Sequence, residues 1–296
     1  MKAIAKKHQA IILVLLGAVM ISFSAVWVKI VDVPPTSSAF YRALFGGIFL
    51  IFPVILTEKL QRPRAIDIAL ITTCGLAFAL DLFFWHKSIL YIGPGLATII
   101  GNFQVFIMAG VGIFFFKEKI LPRFFFSIPL ALLGLAFIVG NSWQELGSDY
   151  KTGVLYGFFT ALSYSVFLLT LRKLQIRKSP FYSTLMAISL TCGIFLLPVL
   201  AIENVSLAIP NLQSLISLVC LGLFSQSVGW SLIAYAMPRI PASITGLVLL
   251  LQPSLSFVWD ILFFKRPTDP GNLLGVCLTL GAIYLGMTSK KKTPKA

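Results

Sequence analysis

Charge is scarce in this chain, and acid is the scarcer sign. Only 11% of its 296 residues are charged, with 10 Asp and Glu against 24 Lys and Arg. Soluble domains average about 25% charged residues, so this composition excludes a water-soluble fold. Histidine is nearly absent: His8 and His86 are too few for a protein zinc site without cysteine help. Cys74, Cys192, Cys220 and Cys277 all lie inside apolar runs with no CxxC pair. They read as small buried residues, so neither disulfide nor metal is expected. HExxH, GxSxG and P-loop patterns are missing, which removes the grounds for expecting an enzyme or a nucleotide-driven machine. No cofactor is expected.

What remains is apolar: 58% of residues are hydrophobic and the mean hydropathy is +0.93. The net charge of +14 would suit nucleic acid, but the basic residues sit in short gaps between apolar runs and form no stripe. Lipid is therefore the expected surroundings, and nucleic acid is not an expected partner. A helix needs roughly 20 apolar residues to cross a bilayer. That length predicts an all-α polytopic membrane protein with spans near 10–31, 37–57, 66–90, 95–116, 122–140, 152–171, 181–202, 212–235, 242–264 and 271–289. The first run exceeds the about 7–15 apolar residues of a cleaved signal, so it reads as a retained helix. Proline and glycine punctuate the breaks, as at Pro34-Pro35, Gly93-Pro94-Gly95 and Pro238 to Pro241.

Positive charge predicts the orientation. With both termini inside, only Lys29, Arg42, Lys87, Lys151, Lys265 and Arg266 of the 24 basic residues lie elsewhere than on inner segments or tails. The expected location is the inner (plasma) membrane, with basic cytoplasmic tails at 1–9 and 290–296. The chain also repeats itself. Trp85 falls on Trp230 at an offset of 145 residues, and Gln104 on Gln252 and Lys117 on Lys265 at 148. Two five-helix repeats, 10–140 and 152–289, follow. Five is odd, so the second must insert upside down relative to the first. An inverted repeat is a signature of secondary transporters, with the substrate site between the halves. Small residues at spacing four, Ala39-Ala43-Gly47 and Gly271-Gly275, mark close helix packing.

Several motifs resemble the drug/metabolite transporter superfamily in its EamA-type branch. The first span carries Ser22-Phe23-Ser24-Ala25-Val26-Trp27, and the second opens with Phe40-Tyr41-Arg42-Ala43. The fourth ends Phe114-Phe115-Phe116-Lys117-Glu118, similar to a helix-ending glutamate motif of that family. Asp81 to His86, followed by Ala97-Thr98 and Gly101-Asn102, is similar to a subgroup pattern. The likeness runs from about residue 10 to 288 and departs at Lys265-Arg266, where a second glutamate would be usual. It implies alternating access through a central cavity, with substrates among amino acids, purine-related metabolites, drugs, cofactors or sugars.

Ionisable groups at bilayer depth cost on the order of 2.5–3.5 kcal/mol, so each needs an explanation. Asp81 lies near the midplane of the third span and shares a helix face with Trp85 and Ser88. It is either a cavity carboxylate that meets a proton or an amine, or a hydrogen-bonded structural acid. His86 is a proton shuttle or an interfacial ring, and Lys87 snorkels to the surface. Trp85 and Trp230 line a cavity or form an interfacial belt. Gln226 stands where Asp81 stands in the first half, which makes the site asymmetric. Asn102 and Gln104 point in different directions, one to the cavity and one to a helix neighbour. Gln252 precedes Pro253, which frees a carbonyl or kinks the ninth span. Asp260 gates the cavity or pairs with Lys265 or Arg266. Arg42 attracts an anionic group or pairs with Asp32.

The candidate substrate-binding set is thus Asp81, Trp85, His86, Asn102, Gln104, Gln226, Trp230 and Gln252. The expected function is secondary transport of a small polar metabolite, amino-acid-like, zwitterionic or cationic, as an exporter. Protons or a counter-substrate would supply the driving force. The alternative is a channel-like facilitator, or an importer of a cofactor or nucleoside-type metabolite.

Overall fold

Ten apolar helices account for the architecture of the computed structural model, which describes residues 2–59, 62–118, 122–139, 149–177, 179–265 and 268–287. They are α1 (His8–Ile30), α2 (Pro35–Thr57), α3 (Ala65–Ile92), α4 (Ala97–Phe114), α5 (Pro122–Ile138), α6 (Tyr150–Ile176), α7 (Phe181–Ile202), α8 (Leu212–Arg239), α9 (Ala242–Phe264) and α10 (Pro270–Gly286). Eight are long and apolar enough to cross a membrane, and α5 and α10 are shorter. No strand occurs among the described residues. The fold is an all-α polytopic membrane protein of two inverted five-helix repeats. The C-terminal tail lies outside the described residues, as do the side chains of the first seven.

Local chemistry sets the helix starts. Proline opens α2, α5 and α10, where the first turn needs no N–H donor. The Asn211 side chain caps α8 by accepting from Ser214 N (2.7 Å), and Asp269 does the same for α10 from Asn272 N (3.0 Å). One expected break takes another form. Helical backbone continues from Ala65 to Gly101, through the stretch expected as a loop near 91–94. Yet Ser88 and Ile100 both lie against Gly157 of α6. On a straight helix those two would be about 18 Å apart. The chain therefore folds back between them, and α3 and α4 form an antiparallel hairpin joined by helical turns.

The two halves are interleaved. α2 packs along α7 and α5 along α10, each with its own repeat counterpart. α1 packs on α8 and α9 of the second half, and α6 on α3 and α4 of the first. Glycines allow the closest crossings. A Cβ on Gly275 of α10 would meet Gly134 O at 2.5 Å and Ile138 N at 2.7 Å, both backbone atoms of α5 or its end. Large apolar side chains such as Ile55, Phe114, Phe126 and Ile202 face outward, as a lipid-facing surface requires.

Polar ties hold the two ends of the bundle apart from its middle. At one end, Glu58, just after α2, accepts from Tyr182 N (2.6 Å) and Ser183 N (3.0 Å) at the start of α7. Glu118, after α4, likewise accepts from Ala242 N (2.6 Å) and from the Ser243 hydroxyl (2.7 Å) at the start of α9. Both carboxylates sit on helix N-termini, where negative charge is favoured. Arg172 donates to the carbonyls of Met237 and Ile240, and Arg177 pairs with Asp67 (2.8 Å).

At the other end, Lys29 pairs with Asp260 (2.6 Å) and Lys87 with Glu203 (2.8 Å), which also accepts from the Thr36 hydroxyl (2.8 Å). Lys87 is thus held by an ion pair as well as by its reach to the surface. Asp260 meets Lys29 of α1, and Arg266, one of its two expected partners, lies outside the described residues. Glu58 and Glu203 are related by the same 145-residue offset as the tryptophans.

Burial alone would raise the Glu203 carboxyl, but hydrogen bonds from Lys87 and Thr36 outweigh it and hold the group below its ordinary range. A depressed carboxylate stabilises the fold above the unfolded-state pKa of about 4.3, and that stabilisation disappears as pH falls through the lower folded value. Thermal melts between pH 6 and 3 should therefore show a steeper acid decline for the parent protein than for Glu203→Gln. Parallel declines would mean that the Lys87 pair contributes nothing.

Candidate functional site

Helix breaks shape the centre of the bundle. α4 is interrupted at Asn102-Phe103 and α9 at Leu250, 148 residues from Asn102, the offset that also relates Gln104 to Gln252. α1 breaks at Phe23, where Trp259 stacks on the Phe23 ring (4.4 Å) and donates to the Ser22 hydroxyl (2.7 Å). In α8 the backbone widens into π turns from Leu221 to Gly229, just before Trp230. Such interruptions free backbone groups and swing side chains inward, and they concentrate at functional sites.

Between these broken helices lies a cavity of about 890 Å³, drawn from both halves. It reaches the surface at the end marked by Lys29, Tyr91 and Asp260, and it runs inward past Trp85, Asn102 and Thr160. Its floor is aromatic. The Trp230 ring stands edge-on to Phe167 (4.7 Å), Phe78 (5.9 Å) and Tyr164 (6.3 Å) and is almost fully buried. Below Trp230 a second, much smaller chamber is lined by Ser189, Gln226 and aliphatic side chains. Beyond that come Leu168, Leu171, Leu174, Ile233, Met237 and Ile240, all fully buried, and then the Glu58 and Glu118 caps. The cavity is open at one end and sealed at the other.

Of the residues singled out from the sequence, Asp81, Trp85, Asn102, Trp230 and Gln252 line this cavity together. Gln104 and Gln226 do not. Gln104 is wholly buried and donates to Gly246 O (3.1 Å), joining α4 to α9. Gln226 lies under the floor, donates to the Ser189 hydroxyl (3.0 Å) and accepts from Arg42 Nε (3.1 Å). His86 stands off the cavity, beside the Trp85 ring (5.2 Å). Ser88 turns to α6, donating to Gly153 O (2.8 Å). Gln252 Nε2 is buried at the cavity wall, on the side of the Tyr164 hydroxyl.

Among the lining groups outside the candidate set are Tyr164 and Arg42. Tyr164 carried the signal of a phenol within the apolar sixth span, one that Tyr156 shares. Arg42 was expected at the outer end, yet seven residues of helix take it about 10 Å below the start of α2. Its guanidinium faces the cavity over the Phe78 ring (5.7 Å), with Gln226, not Asp32, as its neighbour.

The sequence pattern of the EamA-like transporter family matches residues 8–140 and again 151–288. The chain belongs to the EamA-like transporter family. It is a multi-pass membrane transporter. An uncharacterized transporter of Haemophilus influenzae (strain ATCC 51907 / DSM 11121 / KW20 / Rd) is 27% identical over 221 residues, 72% of this chain and 70% of that protein. A solved crystal structure superposes with a TM-score of 0.78 at 16% identity, covering 94% of this chain and 96% of its own. At that identity the likeness shows the fold alone. Within this EamA-like transporter, two glutamates end α2 and α4 by capping helices of the opposite half. The second of them is Glu118, whose repeat counterpart is a basic residue, Arg266.

Proposed function

We propose that this protein carries a small polar metabolite with an amine, amino-acid-like, zwitterionic or cationic, across the inner membrane by alternating access. The observation that carries this reading is the cavity itself: charged and polar side chains from both halves, reachable from one end and sealed at the other. A channel needs a continuous path, and the buried stack around Trp230 interrupts one. The end with the Glu58, Glu118 and Arg172 ties is rich in basic residues, so it belongs in the cytoplasm. The cavity is then outward-open. Asp81 is the acidic group facing its middle, and it supplies either a counter-charge for the amine or a proton site for coupling. Export is the proposed direction, driven by proton or counter-substrate exchange.

Thermal stabilisation of the purified protein by amino acids, nucleosides, polyamines and cationic drugs tests the reading, with Asp81→Asn alongside. The expected outcome is a ligand that stabilises the parent protein and fails with the variant. Equal stabilisation of both would remove Asp81 from the site. Counterflow out of vesicles loaded with that ligand then tests the direction.

A further inference from the structure

Arg42 and Asp81 line the same cavity, and neither is in ion-pair contact with the other. A guanidinium that has left water with no carboxylate in contact is costly, and surrounding structure must hold it there. Here the holding group is Gln226. Its amide oxygen takes Arg42 Nε (3.1 Å), while its nitrogen is spent on Ser189 (3.0 Å). Gly46, one turn beyond Arg42, has no Cβ where the Gln226 stem lies against α2, and any side chain there would collide with it. Phe78 lies beside the guanidinium group. Nε is therefore tied down, and among the described residues no other hydrogen bond or ion pair engages the two Nη groups. That leaves the fork of the guanidinium, the part suited to bidentate oxyanion binding, turned to the cavity.

We propose that Arg42 and Asp81 are the two poles of one binding site, so that the transported molecule carries a carboxylate as well as an amine. The inference rests on the amine-transport reading above and narrows it by excluding pure cations. One positive and one negative protein group balance a ligand bearing one charge of each sign. A phosphate monoester, close to doubly charged, would leave the site unbalanced. Gln226 is a positioning residue here: it stands at the Asp81 position of the other repeat and orients the opposite pole.

The test uses matched triplets: leucine, 3-methylbutylamine and 4-methylpentanoate, then histidine, histamine and imidazole propionate, with binding measured calorimetrically on the purified transporter. In the parent protein at least one zwitterion should bind about tenfold or more tighter than both its single-charge analogues, since charge-assisted hydrogen bonds contribute at both poles. Arg42→Gln should erase the preference of zwitterion over amine, and Arg42→Lys, which keeps the charge but loses the fork, should restore it in part. The ratio within each variant is the readout, so a general loss of stability does not imitate the effect. If amines bind as tightly as zwitterions in the parent protein, the two-pole site is wrong while amine transport stands. If the carboxylates alone match the zwitterions, or no compound binds, the two-pole site and the amine reading fail together.

Discussion

Trp230→Ala should connect the open cavity with the small chamber beneath it. Trp230 alone among the cavity's polar and aromatic residues lines both spaces, and its ring is gripped edge-on by Phe78, Tyr164 and Phe167. A small methanethiosulfonate entering from the open end can reach Ser189 only after that ring moves. In a background without native cysteines, Ser189→Cys should therefore label slowly when Trp230 is present. Combined with Trp230→Ala it should label fast. Each step of about 1.4 kcal/mol removed from the opening free energy is worth about tenfold in rate, and losing a wedged indole should exceed one such step. Equal labelling in both backgrounds would show that the barrier lies elsewhere, in the aliphatic layer around Leu171 and Ile188 that lines the same chamber. The result bears directly on alternating access. If Trp230 is the septum, the proposed alternating access would open the sealed end by moving α8 away from the Phe78 and Phe167 rings, and the π turns of Leu221–Gly229 would give α8 a place to flex.

The second large effect is on stability. Gly275→Ala should lower the melting temperature by about 2–5 °C, because overpacking costs on the order of 1–3 kcal/mol and backbone cannot step aside. The new Cβ would meet Gly134 O at 2.5 Å and Ile138 N at 2.7 Å, so α5 and α10 must separate. Gly281, six residues along the same helix, is the control: a Cβ there meets nothing within 4 Å. Gly281→Ala should leave the melting temperature unchanged or raise it, since alanine is the better helix former. A matching fall in both variants would mean that the loss comes from α10 itself and not from its crossing with α5.

The membrane class, the ten helices and the inversion of the halves were legible because each depends on composition or counting. A helix must be about 20 apolar residues long to cross lipid, and five crossings must reverse direction. Asp81 and Trp85 were legible for a related reason, since a polar or aromatic residue deep in an apolar run stands out against its neighbours. Geometry decided the rest. Gly93-Pro94-Gly95 announced the turn between α3 and α4, but not that the backbone would keep helical dihedrals through it. Gln104 and Gln252 occupy equivalent places in the two repeats, yet one is buried between helices and the other faces the cavity. The residue after each differs as well, Val105 in α4 and Pro253 in α9. Arg42 looked like a rim residue from its distance along the chain, and became a cavity residue because Gly46 lets Gln226 approach α2 closely enough to hold it. Periodicity and length are properties of one helix at a time, and the sequence alone determined those. Which side chains share a cavity depends on how helices from opposite halves interleave, and only the tertiary packing of α1 on α8 and α9, and of α6 on α3 and α4, decided that.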